Sequence, residues 1–266
     1  ADKHRIGGIV CLWNDVRGED KDLTAQHNGL ASGIMAFSER AWYGGSTSTD
    51  DSMPYGTIIP PHTDRGMQQF ENFQKRIAYH KQWFLEQELS YWTPIHAPEW
   101  DVEIHNDTIN CEFKAYGDIL DLDALCRVHN IPDNIPLSCQ ISRNIHSDID
   151  TVKYFKIGFE APARSNRNSD GIAQQGEWPN EGRISVNGIN ITPPIWNEPG
   201  AYRYHYNTWA RLEEELPYTD EQLYWMRNPV AIQLKKGSNN IVISLKRHFN
   251  GQHFQASFIE VPEYQP

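Results

Sequence analysis

The sequence is poor in basic residues and in long apolar runs. Its 24 Lys and Arg stand against 35 Asp and Glu, which gives a formal net charge of −11, and no basic run occurs. Nucleic acid and anionic membrane surfaces are therefore poor candidate partners. No stretch approaches the ~20 apolar residues that a membrane span needs. The 266 residues are enough for one large domain or two smaller ones.

Cysteine is also scarce, and its spacing excludes the common zinc motifs. The sequence has neither a C-x-x-C pair nor a histidine at zinc-ligand distance from its four cysteines, Cys11, Cys111, Cys126 and Cys139. Cys126 and Cys139 could form a bridge in an oxidising compartment, or could remain free thiols. We therefore predict no metal site of this type.

The motifs of the common enzyme classes are missing as well. The chain contains no H-E-x-x-H, G-x-S-x-G, Walker A or G-x-G-x-x-G sequence. Two pairs of carboxylates, Asp50 with Asp51 and Asp121 with Asp123, are interpreted as solvated surface groups rather than catalytic pairs. We predict no catalytic residue, resident metal or cofactor in this chain; a calcium ion held between loops at 166–171 is the alternative.

The first 45 residues have the pattern of one strand followed by one helix. "IGGIVCLWND" (6–15) is apolar on both faces, as in a buried parallel strand, which needs neighbouring strands. In 30–42, Leu30, Ile34, Phe37 and Ala41 form one apolar stripe, so we expect that helix to pack on a sheet. Residues 6–13 could pair with another element, pack on a later helix or mediate oligomerisation.

Residues 46–98 are interpreted as a linker followed by an amphipathic helix. Gly, Ser and Pro interrupt the chain at 43–56, and helical periodicity resumes over 67–92. Four apolar residues of that helix share one side: Phe70, Phe73, Ile77 and Phe84.

Residues 99–266 predict a β-sandwich. Alternation with a period of two appears in five segments separated by turn residues: 100–113, 152–162, 183–191, 230–245 and 249–261. Asn187-Gly188 is the strongest hairpin signal, Gly237 with Asn239 marks a second turn, and Asn250-Gly251 a third. We predict a mainly β fold with helices (α+β), a jelly-roll sandwich preceded by a helical segment.

The N-terminal segment resembles a known enzyme family. "GGIVCLWNDVRGEDK", followed by "HNGLASGIMAFSERAWYGG", is similar to the last β/α unit of the catalytic (β/α)₈ barrel of glycoside hydrolase family 20, the β-N-acetylhexosaminidases. The resemblance covers residues 6 to about 45 and implies that 1–45 are a remnant of that barrel. It assigns the wall of the sugar pocket to Trp13 and a hydrogen bond to the sugar hydroxyls to Asp15, where the family usually has Glu.

The same resemblance implies a parent enzyme that is extracytoplasmic, periplasmic or secreted. That enzyme would remove terminal N-acetylhexosamine from glycans by a substrate-assisted retaining mechanism. The family's catalytic Asp-Glu pair lies on an earlier strand, and no segment here matches it. We therefore expect this chain to be inactive alone and to have the missing barrel and an N-acetylhexosamine-containing glycan as partners.

The sandwich resembles the galactose-binding-like domains that follow catalytic barrels in polysaccharide-degrading enzymes. Two segments carry this likeness, 182–196 with its V-N-G hairpin and 217–245 with its L-K-K-G-x-N turn. A glycan site would need aromatic platforms near the hairpin, for which the candidates are Trp178, Trp196, Tyr202, Tyr204 and Trp209. The alternatives are a stand-alone carbohydrate-binding module, with these aromatics exposed, and a structural or protein-interaction domain, with them buried.

Overall fold

The described part of the chain is a β-sandwich preceded by helices. The computed structural model describes residues 30–43, 58–86, 97–133, 135–159, 174–178, 181–196, 228–248 and 254–261. Its helices are α1 (Leu30–Tyr43), α2 (Arg65–Ala78), α3 (Lys81–Glu86) and α4 (Leu122–Val128). Its strands are β1 (Glu99–His105), β2 (Asn110–Tyr116), β3 (Ile119–Asp121), β4 (Leu137–Ser147), β5 (Thr151–Gly158), β6 (Arg183–Val186), β7 (Ile189–Asn190), β8 (Val230–Leu234), β9 (Gly237–Arg247) and β10 (Gln255–Glu260).

The strands form two antiparallel sheets. The six-stranded sheet has the order β2-β1-β4-β9-β6-β7, and the four-stranded sheet has the order β3-β10-β5-β8. From β2 to β6, and again from β7 to β10, each successive strand changes sheet, which is a jelly-roll kind of connection. The longest pairing joins β4 to β9, from Leu137 opposite Arg247 to Ser147 opposite Gly237. The predicted mainly β sandwich is confirmed.

The core lies between the two sheets because alternate residues of each strand point inward. β1 alternates strictly between exposed and buried residues, and β8 does the same in the opposite phase. Trp100 of the six-stranded sheet meets Phe258 of the other sheet edge to face, with ring centroids 5.9 Å apart. Phe155 stacks on Phe258 at 4.2 Å. The Trp100–Phe258 contact therefore joins the two sheets, while Phe155 supports Phe258 from within the four-stranded sheet.

The predicted Asn-Gly hairpin is confirmed. Asn187 has φ 53° and Gly188 has φ 79°, the two positive values that a type I′ turn requires. β6 and β7 flank this turn, with Val186 opposite Ile189. The third predicted turn, Asn250-Gly251, lies outside the described residues.

The structure contains three elements that the sequence analysis did not predict, and the first is the short strand β3. β4 is a central strand of the larger sheet, and α4 is a short helix between β3 and β4. The Asp121 carboxylate caps α4 by accepting a hydrogen bond from the Ala124 N–H at 2.9 Å. The interpretation of Asp121 as a merely solvated carboxylate is therefore wrong, because it satisfies a helix N-terminus.

The single helix predicted over 67–92 is wrong as a continuous element. The Asp64 carboxylate caps α2 and accepts hydrogen bonds from the N–H groups of Gly66 and Met67. The helix ends at Ala78, where Tyr79 is 88% exposed, and α3 starts at Lys81. Trp83 of α3 is 54% exposed as well. Residues 87–96 lie outside the described part.

α1 forms where it was predicted, but its apolar stripe is not covered. Ile34 is 45% exposed and Phe37 is 39% exposed. A Cβ added to Gly33 would meet no atom within 4 Å, so no neighbouring element packs closely against this glycine. The expected packing on a sheet is therefore wrong for these side chains, and the predicted strand at 6–13 lies outside the described residues.

The three cysteines of the sandwich are free thiols, and two of them, Cys126 and Cys139, are buried. Cys111, Cys126 and Cys139 form no disulfide, so the bridge between Cys126 and Cys139 is absent. Burial raises the pKa of Cys126 to about 11 and also raises that of Cys139. Both thiols therefore stay protonated at neutral pH and pack as small apolar groups.

Candidate functional site

The predicted glycan aromatics within the described residues are used for packing. Trp196 is only 4% exposed, and its Nε1–H donates to the carbonyl of Glu177 at 3.1 Å. Trp178 donates from Nε1 to the carbonyl of Ile191 at 3.1 Å. The two indoles meet edge to face with centroids 5.9 Å apart, and Trp178 also packs on Phe159 at 5.3 Å. Trp196 therefore lacks the exposed ring face that a sugar platform requires.

The other predicted site residues lie outside the described part of the chain. These are Tyr202, Tyr204 and Trp209 of the sandwich and Trp13 and Asp15 of the N-terminal segment. The calcium alternative at 166–171 also falls there. Their proposed roles stay predictions.

The two asparagine-containing turns that suggested a galactose-binding-like domain are joined by a buried side chain. Asn239 is 0% exposed, and its Oδ1 accepts from the Lys235 N–H at 2.8 Å and from Asn187 Nδ2 at 2.9 Å. Its Nδ2 donates to the carbonyl of Lys235 at 2.7 Å. Asn239 is thus a strand residue that holds two hairpins together, rather than the turn residue that was predicted. The V-N-G and L-K-K-G-x-N motifs are therefore explained by the contacts that join the two hairpins, without a ligand.

A cleft at another place on the sandwich combines charged groups of both signs. It has a volume of about 280 Å³ and is lined by His62, Ala97, Pro98, Asp118, Arg143 and Glu260. These residues come from the segment before α2, the start of β1, the β2–β3 turn, β4 and the end of β10. Both sheets and the preceding helical segment therefore contribute to it.

Arg143 is unusual in this cleft because it is a charged residue at an inward-facing strand position. It occupies the inward-facing register of β4, where apolar residues such as Cys139 and Ile141 are buried. Its guanidinium lies 4.4 Å from the centroid of the Trp100 ring and 5.4 Å from that of Phe258. Its Nε is buried and has no hydrogen-bond partner among the described residues. Such an orphan donor is uncommon in native structures and needs an explanation.

Arg247 shows what a purely structural arginine looks like in this sandwich. Its side chain is 3% exposed, and it lies over the Phe254 ring with the guanidinium carbon 5.4 Å from the centroid. Its Nε donates to the Ile135 carbonyl at 3.2 Å, and its Nη2 donates to the Pro132 carbonyl at 2.5 Å. The remaining Nη1 donates to the Asp123 carboxylate at 3.3 Å. Every nitrogen of this guanidinium is therefore hydrogen-bonded within the protein.

Asp123 is consequently a partly buried structural group. Its second oxygen accepts from the Phe254 N–H at 3.0 Å. Burial raises its pKa, while the Phe254 N–H and Arg247 oppose that shift. The prediction that Asp123 is a solvated surface carboxylate is wrong, because its ion pair with Arg247 anchors β9 to α4.

The electrostatics of the cleft set one arginine against two carboxylates. Burial lowers the pKa of Arg143, while the charges of Asp118 and Glu260 partly offset that loss. Glu260 also pairs with Lys153 of β5, with Nζ and Oε1 2.8 Å apart. The cleft thus offers donors and acceptors side by side without a strong excess of either charge.

His62 fixes the outer wall of the cleft. Its Nδ1 lies 2.5 Å from the Glu71 carboxylate, and its Nε2 lies 2.8 Å from the Ala97 carbonyl. The hydrogen bond to Glu71 raises the pKa of His62. Both ring nitrogens are therefore engaged, and the segment before α2 is tied to the chain entering β1.

Sequence reasoning missed this cleft because it missed β4. The segment 137–147, "LSCQISRNIHS", alternates apolar and polar residues, with Arg143 at an apolar register position. A charged residue at an inward position of an alternating strand is the signal that could have identified it.

Neither a metal centre nor a membrane helix occurs in the described residues. Within these residues, no group of three or more His, Cys, Asp or Glu side chains is arranged to hold a metal ion. None of the described helices is long and apolar enough to cross a membrane.

The fold defines the class of this protein as an antiparallel two-sheet β-sandwich with preceding helices. No family model matches the chain, and no curated protein matches it. Among solved structures it is similar to the β-glucosidase from Kluyveromyces marxianus in complex with glucose, at 14% identity and a TM-score of 0.34. That alignment covers 62% of this chain and 17% of the enzyme.

The chain is also similar to a family 35 carbohydrate-binding module from Clostridium thermocellum. The identity is 8% and the TM-score is 0.23. This alignment covers 63% of the chain and 95% of the module.

Proposed function

We propose that this sandwich is a glycan-binding accessory domain, and that the Arg143 cleft is its binding site. The observation that carries the proposal is the contrast between Arg247, which is buried, and Arg143, which is half-buried at an inward position of β4. Arg247 has all its nitrogens bonded within the protein, whereas Arg143 lines an open cleft and has a buried Nε without a partner. An arginine kept at an inward position with an incomplete set of partners is better explained by a ligand than by stability.

The chemistry of the cleft suits a polyhydroxylated ligand. Sugar hydroxyls both donate and accept hydrogen bonds, and the cleft places the Arg143 donors beside the acceptors of Asp118 and Glu260. Neighbouring hydroxyls of one ring could therefore be satisfied in different senses by these side chains.

The resemblance of residues 6–45 to family 20 glycoside hydrolases extends the proposal to the parent protein. We propose that the chain is the C-terminal part of an extracytoplasmic β-N-acetylhexosaminidase, whose catalytic barrel would supply hydrolysis. The sandwich would then hold a glycan near that barrel. Trp13 and Asp15 would belong to the barrel's sugar pocket.

A second candidate function is a structural accessory domain that binds no sugar. The observation that favours it is the burial of Trp196 and the engagement of Trp178 in the core. In that case the predicted aromatics would stabilise the sandwich only.

A titration distinguishes the two functions. The full chain is titrated with galactose, N-acetylglucosamine and a mixed glycan pool, followed by NMR, beside Arg143→Met and Lys246→Met. Arg143→Met keeps apolar contact with the rings below it and removes the donors. Lys246→Met removes an exposed cation that pairs with Glu181 instead.

We expect saturable binding to the wild type and to Lys246→Met, and its loss in Arg143→Met. Binding that survives in Arg143→Met would refute the cleft as the site and direct attention to Tyr202, Tyr204 and Trp209. Silence with every sugar would refute glycan binding and leave the structural function.

A further inference from the structure

We infer that His62 is a pH-sensitive latch, which holds α2 against the chain entering β1 only while both of its ring nitrogens carry a proton. The latch fixes the outer wall of the Arg143 cleft and needs no ligand. It therefore goes beyond the proposed glycan binding and is tested independently of it.

Two hydrogen-bond acceptors flank the His62 ring. Nδ1 lies 2.5 Å from the Glu71 carboxylate of α2, and Nε2 lies 2.8 Å from the Ala97 carbonyl. A neutral imidazole has one N–H and one nitrogen without a proton, so it can donate to only one of these oxygens. In either neutral tautomer the other nitrogen faces an oxygen with its lone pair. Only the doubly protonated ring satisfies both contacts.

The charges around the ring favour that protonated form. The hydrogen bond to Glu71 raises the pKa of His62 most, and the charges of Glu71 and Glu99 raise it further, while burial opposes the shift. Tyr116 of β2 meets the ring edge to face at 6.4 Å, and its hydroxyl donates to Glu99. The remaining ionisable groups of this region are Lys114, which pairs with Glu99, the cap residue Asp64, and the cleft residues Asp118, Arg143 and Glu260. Glu71 makes the direct contact and is therefore expected to govern the titration.

An apolar attachment precedes His62, and α2 follows it. Ile58 packs against the core of the sandwich, and a Cβ added to Gly117 would lie 2.9 Å from Cδ1 of Ile59. These two contacts do not depend on pH. The buried residues of α2 do not belong to the sandwich core; they are Met67, Phe73 and Ile77. Loss of the proton should therefore loosen α2 and leave the attachment at 58–59 in place.

The exposure of the latch limits the size of its effect. The His62 side chain is 56% exposed and that of Glu71 is 33% exposed, so water competes for both groups. An ion pair of this exposure is expected to change the opening equilibrium of α2 by about two- to fivefold. The expected change is a local loosening, with the sandwich remaining folded.

Hydrogen exchange of the full chain tests the latch. NMR of the histidine rings gives the pKa of His62 and shows how many ring nitrogens are protonated. Exchange is then followed by mass spectrometry about one pH unit below and about one pH unit above that pKa, with labelling times corrected for the intrinsic rate. Protection over 62–78 is compared with that of the β4–β9 pair, which reports whether the sandwich is folded.

Three variants separate the latch from an ordinary ion pair. Glu71→Gln lets a neutral His62 accept from the Gln amide at Nδ1 while it donates to Ala97 from Nε2. His62→Gln removes the titrating group. His146→Gln is the matched control, because His146 is an exposed histidine that meets one carboxylate through one nitrogen, with Nε2 3.5 Å from Asp148.

We expect the wild type and His146→Gln to lose protection over 62–78 by about two- to fivefold as the pH rises, with β4–β9 unchanged. Glu71→Gln should keep the low-pH protection at both pH values, and His62→Gln should show no pH response.

Three results would overturn the inference. One is equal protection of the wild type at both pH values, and another is a pH response that persists in Glu71→Gln. The third is a loss of protection that extends equally to the β4–β9 pair, since a local latch acts on α2 alone. Sugar binding enters none of these measurements, so failure of the proposed function would leave their outcome unchanged.

Discussion

Replacing Asn239 by alanine should destabilise the sandwich strongly, because this side chain is the junction of two hairpins. The substitution removes the Asn239 Oδ1 atom, which accepts hydrogen bonds from the Lys235 N–H at 2.8 Å and from Asn187 Nδ2 at 2.9 Å. It also removes the donor to the Lys235 carbonyl at 2.7 Å, and weaker contacts to the carbonyls of Gly237 and Ile145.

The size of the loss can be worked from these bonds. Three short hydrogen bonds at about 1 kcal/mol each give about 3 kcal/mol, and partners left buried without a bond raise the expected loss to about 3–5 kcal/mol. Because Asn239 is 0% exposed, water cannot replace the lost groups without local opening. Urea unfolding followed by circular dichroism should show a lower midpoint with an unchanged slope.

The neighbouring asparagine provides a matched control. Asn240 is exposed, and its side chain makes a long contact of 3.4 Å to Asn144. Asn240→Ala should therefore stay within about 0.5 kcal/mol of the wild type. If Asn239→Ala loses less than about 1 kcal/mol, or if the two variants unfold alike, the buried network does not contribute as reasoned here.

Two further predictions concern close packing and pH. Gly182→Ala should cost about 1–3 kcal/mol in urea unfolding, because its Cβ would lie 2.5 Å from Cγ of the buried Phe159 ring; an unchanged midpoint would contradict this contact. In an NMR titration His62 should titrate above 6.5 and return towards that value in Glu71→Gln, whereas burial should make His129 titrate below 6.5. The stability that His62 contributes is therefore complete below pH 6.5 and is lost as the pH rises through the raised pKa of His62 in the folded protein. The stability that depends on a neutral His129 is present above pH 6.5 and is lost as the pH falls towards the lowered pKa of His129 in the folded protein. If the pKa values of His62 and His129 are shifted from 6.5 in the same direction, this assignment is refuted.

Local chemistry allowed several elements to be predicted correctly. The Asn187-Gly188 turn is specified by two adjacent residues that tolerate positive φ, so no distant contact is needed to identify it. The strands on either side of the other predicted turns follow from alternation, and α1 follows from its spacing of apolar residues.

Errors arose where a distant partner decides the role of a residue. Asp123 looked like a surface carboxylate because Arg247, its partner, is remote in sequence. Trp196 looked like a sugar platform, yet its surroundings are completed by Glu177 and Trp178, which bury it. The composition of a loop does not reveal which aromatic faces remain open.

The sequence by itself determined the antiparallel β character of the sandwich and the position of its tightest hairpin, since both depend on neighbouring residues. Only the tertiary structure decided that Arg143 meets Trp100 on its own sheet and Phe258 on the other, and that it lines one cleft with Glu260. Alternation states which face of a strand a residue occupies, but it does not state which strand of the opposite sheet lies across from it. That pairing of sheets creates the cleft, and it turns an inward arginine from a packing anomaly into a candidate binding group.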